Sequence, residues 1–127
     1  MKNAELRLNM LSEKIIGSAF EVSNVLGSGF LEKVYENALK IELKTNGLDA
    51  QQQAPLEVHY KGELVGVYFA DLLVEHAVIV ELKAVNALEG VHMAQCLNYL
   101  KGTGLKLCLL INFGKPKVEI KRIVNNI

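Results

Sequence analysis

Asp71, Glu81 and Lys83 are the residues whose types and spacing best suit chemistry. Asp71 lies in an apolar run that ends at Val74, and Glu81 and Lys83 stand two apart in the run from Val78 to Lys83. Strand side chains alternate faces, so Glu81 and Lys83 share one. If Glu75, His76 and Ala77 form a three-residue loop, Val74 pairs with Val78 and Asp71 falls opposite Glu81. A two-residue loop would pair Asp71 with Val80 and send it to the other face. Like charges directly opposite destabilise a strand pair. Keeping them there means that both are in water or that a cation lies between them. A hard divalent ion such as Mg²⁺ or Mn²⁺ suits two carboxylates. A lysine beside such an ion can orient a water, which completes the parts for metal-assisted phosphodiester hydrolysis. The same residues also fit a solvated hairpin with a surface Glu–Lys pattern. On these residues alone that reading is favoured, since charged strand residues are usually exposed. Asp71, however, shares its face with Val67, Phe69 and Leu73. A lone buried charge there would cost several kcal/mol, so it needs a partner or an ion.

The elements that must position these residues follow from patterning. Residues 1–11 are weakly periodic and are expected to form an N-terminal arm, with one domain over 12–127. Ser12 reads as the N-cap of a first helix carrying Ile15, Ile16, Ala19, Phe20, Val22, Val25 and Leu26, a spacing that predicts burial on more than one side. Gly17 inside it marks an expected close contact. A second helix is predicted at about 30–46, its main stripe Leu31, Val34, Ala38 and Ile41, with Tyr35, Leu39 and Leu43 beside it. Gly47 is its C′ residue, and Gly29 with Glu32 would form a capping box. Leu56, Val58 and Tyr60 alternate as a strand, and the two runs about Glu75–Ala77 form a hairpin. A third helix over about 88–101 presents Val91, Ala94, Leu97 and Leu100 on its apolar side, with His92, Gln95 and Tyr99 on a separate polar stripe. Leu105 to Asn112 is a nearly unbroken apolar run, as in a strand covered on both faces. Val118 and Ile120 belong to a final, edge-like strand. The predicted fold is α/β, a mixed sheet with flanking helices in the order ααβββαββ.

Composition sets bounds. One domain is expected for 127 residues, of which half are hydrophobic and 22% charged. Apolar runs fall well short of the ~18 residues of a membrane span, and no signal peptide is visible. Cys96 and Cys108 sit in apolar contexts and read as reduced core residues of a cytoplasmic protein. His59, His76 and His92 give no metal-ligand spacing. Zero net charge argues against a strongly basic nucleic-acid binder. From Lys101 onward, however, the chain carries a net +5, which suits phosphate contacts and equally suits chance segregation of charge.

The stretch Gly29-Phe30-Leu31-Glu32-Lys33-Val34-Tyr35-Glu36-Asn37-Ala38-Leu39 resembles the signature of the GxxExxY protein family. Tyr68–Val74, Val80–Ala84, His92–Gln95 through Tyr99-Leu100, and Leu109–Phe113 look like that family too, in the same order. The resemblance runs from about Ser12 to the end. It implies membership of the PD-(D/E)XK nuclease superfamily, with a restriction-endonuclease-like core. Asp71 would match the metal-motif aspartate, with Ala70 in the proline position, and Glu81 and Lys83 its (D/E)XK. Gln95 and Tyr99 look like the Gln-x-x-x-Tyr element of RecB-type nucleases, although their pattern alone reads as a solvent-facing or capping stripe. Glu32 would match the helix glutamate near the metal. Ser23 stands where many relatives carry a histidine in the first helix.

The expected function is therefore metal-dependent phosphodiester hydrolysis on nucleic acid, DNA or RNA. Asp71, Glu81 and the Leu82 backbone carbonyl would bind Mg²⁺ (or Mn²⁺), and Lys83 would position the attacking water. Glu32 would ligate through water or orient the site. Gln95 and Tyr99 would hold Lys83, the water or the scissile phosphate. The alternative is a non-catalytic nucleic-acid-binding or protein-interaction module of the same fold. A small neutral domain has little purchase on a duplex, so a homodimer or a protein partner is expected. No membrane partner is expected.

Overall fold

Leu8, Leu11, Ile15, Ala19 and Val22 recur every three or four positions, and together they hold one continuous helix against the sheet. The computed structural model describes residues 2–125. Its elements are α1 (Lys2–Leu26), α2 (Glu32–Thr45), β1 (Ala50–Tyr60), β2 (Glu63–Val74), β3 (Val78–Lys83), α3 (Gly90–Thr103), β4 (Leu107–Asn112) and β5 (Glu119–Val124). This is the predicted order ααβββαββ. The five strands lie in chain order in one mixed sheet. Only β3 and β4 run parallel, and α3 is their crossover. Among the described residues no helix is long and apolar enough to cross a membrane.

Two apolar clusters cover the two faces. On one, Ile15 and Ala19 of α1 and Tyr35, Leu39 and Leu43 of α2 pack on Leu72, Val80, Leu82, Leu109 and Ile111. On the other, Cys96, Tyr99 and Leu100 of α3 pack on Ile79, Cys108 and Leu110. All six residues of β4 are buried, which accounts for its unbroken apolar run. Cys96 and Cys108 are free and buried, and β5 forms a sheet edge.

Several local expectations are corrected. Ser12 is not an N-cap; it is buried in the middle of α1, and Leu8 and Leu11 belong to the core. Burying two leucines outweighs the ~1 kcal/mol that a cap supplies. Phe20 and Val25 are exposed, so α1 is buried along a single stripe. A Cβ at Gly17 would meet nothing within 4 Å, so that glycine marks no close contact. On α2 the buried stripe is Tyr35, Leu39 and Leu43, while Leu31, Val34 and Ile41 face outward. On α3, Val91 and Ala94 are exposed and Cys96, Tyr99 and Leu100 are buried.

The capping box at Gly29 and Glu32 does not form, because Leu31 is the N-cap and makes no side-chain cap bond. Tyr35 ties the entry instead. Its hydroxyl donates to the Gly27 carbonyl at 2.6 Å and accepts from the Phe30 N–H at 3.2 Å, while its ring stacks on Phe113 with centroids 4.6 Å apart. The helix ends as predicted at Gly47 (φ +81°), with the Leu48 N–H bonded to the Leu43 carbonyl at 2.9 Å.

Candidate active site

The β2–β3 hairpin turns through Glu75, His76 and Ala77, and Val74 pairs with Val78. Leu73↔Ile79 and Leu72↔Val80 follow, and there the backbone ladder stops. At the next pair the side chains take over. The Asp71 N–H donates to Glu81 Oε2 at 2.8 Å, and the Leu82 N–H donates to Asp71 Oδ2 at 2.8 Å. Each carboxylate thus sits in the gap between the strands and spends one oxygen on the other strand's backbone.

β2 is wedged on its other side as well. Gln52 pairs with Leu72 and Ala54 with Ala70, but the intervening Gln53 has φ +50° and lies outside the ladder. Ala70 packs in the α3-side cluster, while Leu72, two residues on, packs in the opposite one. The strict alternation of β2 therefore breaks at Asp71, and the outer half of the β1–β2 hairpin leans over α3.

Burial pushes the Glu81 carboxyl up to about 7, and the charge of Asp71 adds to it. Burial also raises Asp71; the Leu82 N–H pulls it back, and the charge of Glu36 raises it further. Lys83, partly exposed at the end of β3, lowers both carboxyls. It forms no ion pair within 4.0 Å among the described residues. Its carbonyl accepts the Phe113 N–H at 2.8 Å, which fixes the end of β3 against the chain leaving β4.

Tyr99 comes to the pair from α3. Burial pushes its hydroxyl up to about 12, and the charge of Glu81 contributes. Gln95 Nε2 donates to Tyr99 Oη at 2.9 Å, which ties the exposed Gln95 to that tyrosine. His92 is occupied locally, its Nδ1 accepting the Glu89 N–H at 3.0 Å. Glu32 is exposed at the start of α2 and raises Glu81 only weakly.

A model of the PD-(D/E)XK nuclease superfamily matches residues 9–123. The chain belongs to that superfamily. No curated protein matches it. Among solved structures it is similar to a crystal structure of SSO0001, with TM-score 0.54 and 19% identity over 75% of this chain and 50% of that one. The chain therefore spans about half the length of SSO0001, and the likeness is one of fold. An alkaline exonuclease (LHK-Exo) from Laribacter hongkongensis matches with TM-score 0.49 and 13% identity over 85% of this chain and 76% of that one.

The mixed sheet with flanking helices is the restriction-endonuclease-like core of the superfamily. Two residues beyond the predicted set help to build the site. Glu36, only 4% exposed, accepts from Lys33 Nζ at 2.9 Å, Gln52 Nε2 at 2.7 Å and Gln53 Nε2 at 3.0 Å. The Gln53 amide also reaches Asp71 Oδ1 at 3.4 Å, which joins the two carboxylates through one side chain. The available signal was spacing, since Glu36, Leu39 and Leu43 lie on one face of α2. Asn112 is fully buried and pins the segment after β3. Its Oδ1 accepts from Val85 N–H and Gly114 N–H, and its Nδ2 donates to the Val85 carbonyl, each at 3.0 Å. A side chain at Gly114 would run into the Val85 backbone, so the two segments need that glycine.

The donor set fits a divalent cation. Asp71 and Glu81 are hard oxygen donors held together against burial and mutual repulsion, and each keeps one oxygen off the other strand's backbone. Among the described residues no group of three or more His, Cys, Asp or Glu is arranged to hold a metal. Two carboxylates suffice for Mg²⁺, which keeps most of its waters and takes one or two carboxylates from protein.

Proposed function

We propose that the chain hydrolyses phosphodiester bonds of nucleic acid with the aid of a divalent cation, Mg²⁺ or Mn²⁺. The reciprocal seating of Asp71 and Glu81 carries this reading, because burial and like charge both oppose it and a cation relieves both. PD-(D/E)XK nucleases generally use divalent metals. Asp71 and Glu81 would hold the ion. The Leu82 carbonyl would join them: its N–H points toward β2, and in a strand the carbonyl of the same residue points the same way. Glu32 would act through water. When bound, the ion supplies Lewis acidity and a more acidic water.

The remaining steps fall to the chain's own side chains. Lys83 positions the attacking water and balances charge on the pentacovalent phosphate. Tyr99 holds its proton at neutral pH and is a hydrogen-bond donor at the site, oriented by Gln95. Lys115, Lys117 and Lys121 contact flanking phosphates without reading sequence. The Gly29-x-x-Glu32-x-x-Tyr35 pattern supports placement in the GxxExxY group, and a homodimer or partner protein would extend the phosphate-binding surface.

Calorimetric titration with Mn²⁺ of the wild type and of Asp71→Ala, followed by cleavage assays on DNA and RNA, tests the reading. It requires binding that the substitution removes and cleavage that depends on the same metal. Metal binding without cleavage of any substrate would favour the non-catalytic module.

A further inference from the structure

Beside the carboxylate pair, the outer half of the β1–β2 hairpin and α3 enclose an open cavity of about 580 Å³. Val58 and Tyr68 line one wall, and His92, Gln95, Asn98 and Tyr99 the other. We propose that this groove seats an unpaired nucleobase of a single-stranded nucleic acid whose backbone lies at Asp71 and Glu81. The inference rests on the nuclease reading above.

The lining contains no Asp, Glu, Lys or Arg, so it is suited to an uncharged group and not to a phosphate. It offers an aromatic face. Tyr68 is 51% exposed, and its ring centroid lies 5.3 Å from that of Tyr99 at a tilt of 46°. It also offers both kinds of hydrogen-bonding group. Gln95 donates from Nε2 to Tyr99, which leaves its Oε1 to accept. His92 accepts at Nδ1, which leaves Nε2–H as a donor. The exposed Asn98 amide forms no side-chain hydrogen bond among the described residues. Stacking on an aromatic ring with polar contacts at the edge is how unpaired bases are held, and paired, stacked bases offer neither the ring face nor the Watson–Crick edge.

The volume lies within the ~300–1,000 Å³ of small-ligand sites. The two walls of the groove also meet closely. A side chain at Gly102 of α3 would meet Val58 Cγ2 at 2.9 Å, so hairpin and helix are in close contact there. Tyr99 lines the groove and packs in one apolar cluster with Ala70, the residue before Asp71, so a base in the groove and a phosphate at the carboxylates are neighbours.

The test is fluorescence anisotropy on the full chain in EDTA, with three labelled 12-mer probes: a mixed-sequence single strand, the same backbone with abasic sites throughout, and the duplex. DNA and RNA versions of the intact strand are both used. The intact single strand should bind roughly tenfold or more tightly than the abasic strand and more tightly than the duplex. Tyr68→Ala should abolish the difference between intact and abasic strands, and Tyr68→Phe should keep it; a melting curve confirms that both variants fold. Equal binding of intact and abasic strands, or a difference that survives Tyr68→Ala, would overturn the subsite. Mn²⁺-dependent cleavage alongside such equality would leave the nuclease reading standing. Absence of both binding and cleavage would remove both.

Discussion

Asp71 and Glu81 each accept a hydrogen bond, at 2.8 Å, from backbone on the other's strand at the point where the β2–β3 ladder ends. Two acids are thereby held side by side by groups that would otherwise be ladder donors. Asp71→Asn keeps an oxygen for the Leu82 N–H and removes one of the two charges. In EDTA at pH 8 this variant should be more stable than the wild type by up to ~1 kcal/mol, the scale of a like-charge pair across strands. It should also lose Mn²⁺ binding. Thermal melts with and without Mn²⁺ check both; a variant that is less stable without metal would show that repulsion is not what the pair stores.

The pH dependence has a definite sign. The Glu81 carboxyl is raised from an ordinary 4.5 to about 7 in the folded chain. The charged form is the disfavoured one, so the metal-free fold pays no penalty below pH 4.5, loses stability between 4.5 and 7, and carries the full loss above 7. A divalent ion must displace that proton. Its apparent affinity should fall close to tenfold per unit as pH drops below 7, and level off above it. Melting temperature measured with and without Mn²⁺ from pH 5 to 8 should show the metal-dependent rise growing up to about pH 7.

The hairpin was legible because strand period and a polar three-residue turn leave few registers, and Val74↔Val78 is one of the two considered. Element order was legible for the same reason: each run has one dominant period. Helix faces were less so. On α2 two stripes are apolar, and the choice between them depends on Tyr35, whose hydroxyl and ring are both used by partners outside the helix, at Gly27 and Phe113. The start of α1 was hidden because Ser12 has cap chemistry yet lies buried in the middle of the helix. Gln95 and Tyr99 read as a surface stripe, yet Tyr99 is buried because the leaning hairpin places Tyr68 against it. Glu36 drew no reading of its own, because its donors come from β1, 16 and 17 residues away.

Glu36 is the anchor of Gln53, and Gln53 is in turn beside Asp71. Glu36→Ala removes one acceptor from each of the Gln52 and Gln53 amides, leaving Asn37 Oδ1 at 2.8 Å to the first and Asp71 Oδ1 at 3.4 Å to the second, and should cost about 1 kcal/mol. Glu36→Gln keeps volume and one acceptor oxygen, so the fold should lose less. Both remove a like charge that raises Asp71, whose carboxyl should titrate at lower pH in each variant. Chemical denaturation and NMR titration of the Asp71 side chain read the two effects separately. An Asp71 titration unmoved in Glu36→Gln would mean that the two acids do not sense each other.

Asn112 acts on the other flank. With no exposed surface, it bonds Val85 twice and Gly114 once, and its Nδ2 also donates to Glu119 Oε1 at 3.3 Å. The segment it holds begins immediately after Lys83, so the lysine's aim depends on it. Asn112→Ala orphans the Val85 N–H and carbonyl and should cost about 1–3 kcal/mol, since two or more partly buried polar groups lose partners. Asn112→Asp keeps the acceptor for Val85 and Gly114 but loses the donor to the Val85 carbonyl and faces Glu119, so it should be destabilised more as pH rises. Where enough folded protein remains, Mn²⁺ affinity should stay within a few-fold of wild type while metal-dependent cleavage falls by tenfold or more, because Asp71 and Glu81 are held by bonds between β2 and β3, whereas Lys83 is the last residue of β3 and pairs with Asn112 itself. Equal losses of metal binding and cleavage would show that Asn112 supports the carboxylates themselves.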